Sequence, residues 1–267
     1  MRRNRPKPHV AKLGAGLLMV GALALAGSAP AFAQAAAGSF ASVSGPVQVQ
    51  RGGATIGAAS GVGVDVGDRI LSGVGGHAVI LLTDQSRLEI GPASSITLDQ
   101  FTVSGGSTST RVSLFAGVLR SLVNSSSGAA ADYQVHTPNA VAAVRGTKFD
   151  TAYTENVIRP GYKGCERYTD VSVFQGTVNL APLSAPNAGQ DVSAGYEATL
   201  PCDKAATAPG PLAMTGATSL DSAIGGGSGS SGGFVGSSPG SGGAPVPACP
   251  VCADMTPVSG GGVGGHP

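Results

Sequence analysis

This sequence predicts an all-β fold: a single domain of short strands in a sandwich-like or rolled arrangement, followed by a disordered Gly-rich tail. Three observations carry that reading. Apolar and polar residues alternate in short runs, as around Val43, Val47 and Val49 and again from Thr147 to Thr154, which is the period-2 mark of a strand with one buried face. Clusters of Gly, Ser and Pro separate those runs at short spacing. Beyond the N-terminal segment, no stretch shows the 3.6-residue periodicity of an amphipathic helix.

The chain of 267 residues allows one or two domains, and its two ends are set aside first. Arg2, Arg3, Arg5, Lys7 and Lys12 make a basic start, Leu13–Ala29 is apolar, and Ala31-Phe32-Ala33 offers an A-x-A cleavage site before Gln34. Residues 1–33 therefore read as a Sec-type signal peptide, and the mature protein is expected in the periplasm or outside the cell. No later stretch reaches the about 20 apolar residues of a spanning helix, so no transmembrane helix is expected after cleavage. Removing the signal leaves 11 basic and 15 acidic residues, a net charge of −4. That balance argues against nucleic acid as a partner, because phosphate binding needs a basic footprint. From Ala205 to Pro267 there are 17 Gly and 8 Pro in 63 residues. Such a segment buries too little apolar surface to offset its ordering entropy. Residues 34–203 are the expected β domain and residues 204–267 the expected disordered tail.

Within the domain the expected strands follow one another closely. Arg51-Gly52-Gly53 turns the chain, Ala78–Leu82 is a continuous apolar run, and Asp84-Gln85-Ser86 forms a hairpin turn before Leu88 and Ile90. Pro92 ends that strand, and Ile96 and Leu98 begin the next. A weak repeat links Gly45-Pro46-Val47, Gly117-Val118-Leu119 and Gly176-Thr177-Val178. Its spacing is too uneven for a solenoid, and the preferred reading is three strands that each make a tight approach at Gly.

The stretch Val135–Tyr153, VHTPNAVAAVRGTKFDTAY, organises the rest. Pro138 cannot sit in a central ladder, so the chain turns or restarts there. The apolar run Ala140–Val144 is interrupted by Arg145 and Gly146. From Thr147 the alternation is strict, with Thr147, Phe149, Thr151 and Tyr153 on one face. Arg145, between Val144 and Gly146, is expected to be partly buried. It reads either as an internal clamp, with Asp68, Asp84 or Asp170 as partner, or as a docking contact to another protein.

Thr137-Pro138, Ala140, Val144-Arg145-Gly146-Thr147 and Phe149 resemble the TPxAxxxVRGTxF signature of the FecR domain. Gly67-Asp68-Arg69-Ile70 and Leu81–Leu88 resemble two further segments of that family, with Gln85 where Gly is usual. The resemblance covers about Ser42 to Leu200. It implies a sensing or protein-interaction role in the envelope, with Thr137, Pro138, Arg145, Gly146, Thr147 and Phe149 as signature residues of structural or interaction use. Namesake members read an outer-membrane transporter and regulate a cytoplasmic sigma factor. This chain shows neither their N-terminal cytoplasmic segment nor their internal membrane helix, so direct signalling to a sigma factor is not expected.

Four cysteines remain after processing: Cys165, Cys202, Cys249 and Cys252. In an oxidising compartment disulfides are the default, and of three connectivities the pairs Cys165–Cys202 and Cys249–Cys252 are preferred. The Cys249–Cys252 spacing lacks the βαβ frame of a redox pair, the following His of a haem site and the ligand number of a zinc site. Gly61–Gly67 has no helix after it, so it is not a dinucleotide loop. His77 and His136 are the domain's histidines, and nothing marks either as a catalytic base. No metal, cofactor or enzymatic activity is expected. The leading function is a periplasmic or exported interaction module whose partner is another envelope protein. The alternative is a structural or surface-associated envelope protein tethered through its Gly-rich tail.

Overall fold

The computed structural model describes residues 36–124, 131–212 and Leu220. Among them, 17 strands form one continuous hydrogen-bonded network. In chain order these are β1 (Gly38–Ser44), β2 (Val47–Arg51), β3 (Ala54–Gly57), β4 (Gly63–Val64), β5 (Arg69–Ser72), β6 (His77–Leu82), β7 (Arg87–Ile90), β8 (Ser95–Ser104) and β9 (Ser107–Leu122). They continue as β10 (Ala131–His136), β11 (Ala140–Val144), β12 (Lys148–Glu155), β13 (Arg167–Gln175), β14 (Thr177–Pro182), β15 (Gln190–Ser193), β16 (Tyr196–Pro201) and β17 (Gly210–Pro211).

The pairings resolve into two sheets. Sheet A runs β4-β1-β6-β7-β9-β12-β13-β16-β17. Sheet B runs β3-β2-β5-β8-β9-β10-β11-β14-β15. All neighbours are antiparallel except β9 and β10, which are parallel. Strand β9 belongs to both sheets. Its N-terminal part pairs with β8 and β10 in sheet B, and its C-terminal part pairs with β7 and β12 in sheet A. One apolar core is shared between them: Phe40, Ile80, Leu119, Phe149, Tyr153 and Val173 from sheet A pack with Val49, Ile70, Ile96, Leu114, Tyr133 and Leu180 from sheet B. The arrangement is a sandwich made by strands that change sheets. Tyr133 and Phe149 meet edge to face across it, with ring centroids 6.2 Å apart.

The weak Gly repeat marks where the chain changes sheets. Gly45 lies between β1 of sheet A and β2 of sheet B, Gly117 lies at the switch inside β9, and Gly176 lies between β13 of sheet A and β14 of sheet B. All three have positive φ, at 65°, 83° and 81°, which favours Gly. Each is also pressed against a second crossing. A Cβ would lie 2.4 Å from the Gly75 carbonyl oxygen at Gly45, 2.1 Å from Ser94 Oγ at Gly117, and 2.5 Å from Thr147 Cγ2 at Gly176. The tight approach expected at these positions is therefore a set of stacked corners.

Two expectations are corrected here. Strand β12 was expected to be half-buried. Phe149 and Tyr153 do face the core, yet Asp150 and Ala152 on the opposite face are also buried, because β12 is central in sheet A and Leu220 covers its outer side. The strand network also runs past the boundary expected at Asp203. Thr199 and Thr207 exchange hydrogen bonds, β17 pairs with β16, and the Leu212 N–H reaches the Gly195 carbonyl at 3.0 Å. The expected signal peptide, the Cys249–Cys252 pair and the expected tail from residue 213 onward, Leu220 excepted, lie outside the described residues.

Candidate interaction site

The signature stretch folds as one crossing from sheet B to sheet A. Strand β10 leads into a turn at Pro138, β11 returns as the Ala140–Val144 run, and Arg145-Gly146-Thr147 form the corner before β12. Gly146 has φ of 90°, so the position favours Gly. Beside it, the Asp84-Gln85-Ser86 turn packs from another part of the chain. Asp84 accepts hydrogen bonds from the Ser86 N–H and hydroxyl. Asn124 ties the turn to the end of β9, since its N–H donates to Ser86 Oγ and its side-chain amide donates to the Asp84 carbonyl. Gln85 adopts φ of 71°, a left-handed position that explains why Gly is usual there.

Between these elements lies a cleft of about 270 Å³ lined by Gln85, Leu122, Val123, Asn124, Gly146, Thr147, Lys148 and Gln175. The Thr147 hydroxyl is buried and has no hydrogen-bond partner among the described residues, an uncommon state for a buried polar group. Lys148 Nζ lies 5.6 Å from the centre of the Phe174 ring. The cleft thus presents side-chain amides and a cation, which suit the carbonyls and carboxylates of a polypeptide.

The signature residues divide by role. Phe149 is core. Thr137 is buried in a network in which its hydroxyl meets Thr169 Oγ1 at 2.7 Å, while the Asn139 amide donates to the Leu200 and Cys202 carbonyls. Pro138 is exposed in its turn, and Gly146 and Thr147 line the cleft. Arg145 is exposed, so the expected internal clamp is overturned. It stands at the corner between β11 and β12, and its expected partners are engaged elsewhere. Asp68 takes a two-point ion pair from Arg51, Asp170 takes one from Arg159 at 2.7 and 2.8 Å, and Asp84 caps its own turn. Arg159 also lies over the Tyr168 ring at 4.2 Å.

The buried clamp of this domain is a different pair, Arg120 and Asp150, which the sequence reading missed. They stand directly opposite each other on β9 and β12. Arg120 Nε donates to Asp150 Oδ1 at 2.7 Å and its terminal nitrogen to Oδ2 at 3.0 Å. The signal available was weak, because Arg120 shares β9 with Arg111 and Asp150 shares β12 with Lys148 and Glu155.

The Cys165–Cys202 disulfide is present, with Cα atoms 5.8 Å apart. Cys202 is also where Asn139 of the signature turn is anchored, so the bridge and the network brace the same end of sheet A. The histidines stand apart from one another's chemistry. His136 Nε2 meets Gln134 Oε1 at 2.9 Å, and His77 Nε2 is buried without a partner among the described residues. Burial lowers the pKa of both rings. Among the described residues, no three His, Cys, Asp or Glu side chains cluster as metal ligands would.

Comparison with known proteins is consistent with the resemblance in the sequence. No curated protein matches the chain. Two crystal structures of a Parabacteroides distasonis protein, provisionally assigned as an anti-sigma factor, align with it at 19% and 18% identity. Their TM-scores are 0.38 and 0.37; the alignments cover 50% of this chain and 54% of that one, so the chain spans about half the length of that protein. The profile of the family described as FecR protein matches residues 68–179. The part of the chain that folds around both the buried arginine and the exposed one, residues 68–179, is therefore a FecR-family domain.

Proposed function

We propose that this protein is a non-enzymatic sensing module, exported to the periplasm or cell surface, that docks another envelope protein at the Arg145 corner. The carrying observation is the contrast between the two arginines. Arg120 is consumed by the fold, whereas Arg145 stands exposed in the middle of the signature, next to a cleft with an unpartnered buried hydroxyl. An exposed guanidinium offers a planar fork for a carboxylate, and Arg is enriched at the centres of protein interfaces. The disulfide suits an oxidising compartment. The separation of His77 and His136 into unrelated environments supports a role without catalysis.

The test is site-specific photo-crosslinking in intact envelopes. A photoreactive residue at Gln85 should give a discrete protein adduct that Arg145→Glu abolishes, while the same probe at exposed Ile56 gives none. Purified Arg145→Glu should melt within about 1–2 °C of wild type, as expected for an exposed site away from the core. Equal adducts at both positions, or an adduct indifferent to Arg145→Glu, would remove the corner as the docking site. Mass spectrometry of the exported protein should find Gln34 first, and an intact Met1 terminus would refute export by cleavage.

A further inference from the structure

The outer face of sheet A holds a second constellation that neither the signature nor the cleft uses. Val118 and Ala152 are cross-strand neighbours on β9 and β12, two pairs along from Arg120 and Asp150. Residues two apart in a strand share a face, so these four side chains form one patch. It is separate from the main core: Val118, Ala152 and Leu220 make their own apolar cluster. Leu220 is fully buried there. Its N–H donates to Asp150 Oδ2 at 2.9 Å. Its Cδ1 lies where Gly91 leaves space, 2.9 Å from the position a Cβ at Gly91 would take.

This is the geometry of peptide recognition. A side-chain pocket is floored by Gly91, Val118 and Ala152, and a fixed carboxylate beside it accepts a backbone N–H. The acceptor is already oriented by two bonds from Arg120 and by the Phe174 ring, 5.0 Å from the guanidinium carbon. The occupant comes from the low-complexity tail, at its least Gly-rich point. Leu212, Met214, Leu220 and Ile224 form an apolar island before the Gly/Ser run that begins at Gly225. Chain length permits the return. Leu212 leaves the β17 edge, and β12 and β9 lie three and four strands away, about 14–19 Å at the usual strand spacing. The eight residues to Leu220 can span up to about 26–29 Å.

We infer that the outer face of sheet A is a binding site for a short leucine-bearing peptide segment, and that this chain's own Leu220 segment is its resident ligand. A tethered ligand acts at an effective concentration in the millimolar range, so a free segment of the same chemistry must compete with it. The inference does not depend on the Arg145 corner.

The test is a fluorescence-anisotropy titration of a labelled peptide with the sequence of residues 214–226 against the full chain. Leu220→Asp protein, its own segment expelled, should bind the peptide at least about tenfold more tightly than wild type does. Leu220→Ala serves the same comparison if the Asp variant does not fold. Adding Gly91→Ala to either variant fills the pocket and should lower peptide affinity by about tenfold or more. A peptide with Asp in place of its leucine should not bind. If neither Leu220 variant binds more tightly than wild type, or if binding ignores both Gly91→Ala and the peptide's leucine, the inference is overturned.

Discussion

Removing Arg120 tests the structure at its most buried charge. In Arg120→Ala, Asp150 stays behind with its side chain at 0% exposure and loses both guanidinium bonds. Breaking a buried ion pair this way costs about 3–5 kcal/mol. The Leu220 N–H still donates to Asp150, which moves the expectation toward the lower end. A domain of this size shifts by about 2–4 °C per kcal/mol, so the midpoint should fall by about 6–16 °C. Arg120→Lys should recover little, because an ammonium cannot reproduce the two-point bond to Asp150. The double variant Arg120→Met, Asp150→Leu should recover much of the loss, since an apolar replacement of a buried pair is often close to neutral. Calorimetry of the oxidised full chain is the assay. A single-variant midpoint within about 2 °C of wild type would show that water reaches the pair and that the face is not covered as described.

Three further outcomes follow from named contacts. Replacing Cys165 and Cys202 opens a loop closed over a separation of 37 residues, worth about 4 kcal/mol on the chain-entropy model; a melt unchanged by reduction would contradict it. Gly176→Ala should cost more than Gly195→Ala. Both have positive φ, at 81° and 85°, for a common cost of about 1–2 kcal/mol, but only Gly176 would press a Cβ to 2.5 Å from Thr147 and 2.9 Å from the Gly146 carbonyl. Equal losses in denaturant titrations would refute the stacked corner. Burial, with Glu155 beside it, raises the Tyr153 pKa to about 12, and burial also raises that of Tyr133. The unfolded phenols ionise near 10 while the folded ones keep their protons, so the stabilisation is complete below about pH 10 and is lost as pH rises from there toward 12. Tyr153→Phe should flatten that alkaline loss, and an unchanged slope of midpoint against pH would exclude Tyr153 as its source.

Local structure was largely legible because alternation and turn chemistry are local. The Arg51–Ala54 and Ser104–Ser107 turns hold paired glycines with positive φ, as two-residue hairpin loops require. The strand from Lys148 and the break at Pro138 follow directly from their residues. Burial of charge was not legible. Arg145 follows an apolar run and was expected inside, yet the run is β11 and ends where the chain leaves one sheet for the other. Arg120 alternates with core-facing Leu119 and Ser121 and so reads as solvent-facing. It is buried where Asp150 and the Phe174 ring meet its guanidinium, on the face where Leu220, 100 positions away, caps Asp150. No spacing within β9 carries that information.

The corners connect fold to function. At Gly45 the second crossing is close-packed backbone: a Cβ at Gly76 would lie 2.3 Å from the Pro46 carbonyl oxygen. At Gly117 it is sealed by buried serines, where Ser94 Oγ accepts from the Val118 N–H at 2.9 Å and Ser72 Oγ donates to the Gly91 carbonyl at 2.6 Å. Both crossings are closed by these contacts, although buried His77 Nε2, next to Gly76, also lacks a partner among the described residues. The corner at Gly176 has the same stacked geometry, with Gly146 and Thr147 beneath it, but it leaves a hydroxyl unpaired, holds a cleft and is preceded by an exposed arginine. The docking proposed at Arg145 rests on that exposed arginine and the cleft beside it, and loss of the Gln85 adduct in Arg145→Glu is the measurement that decides whether a partner reads this corner.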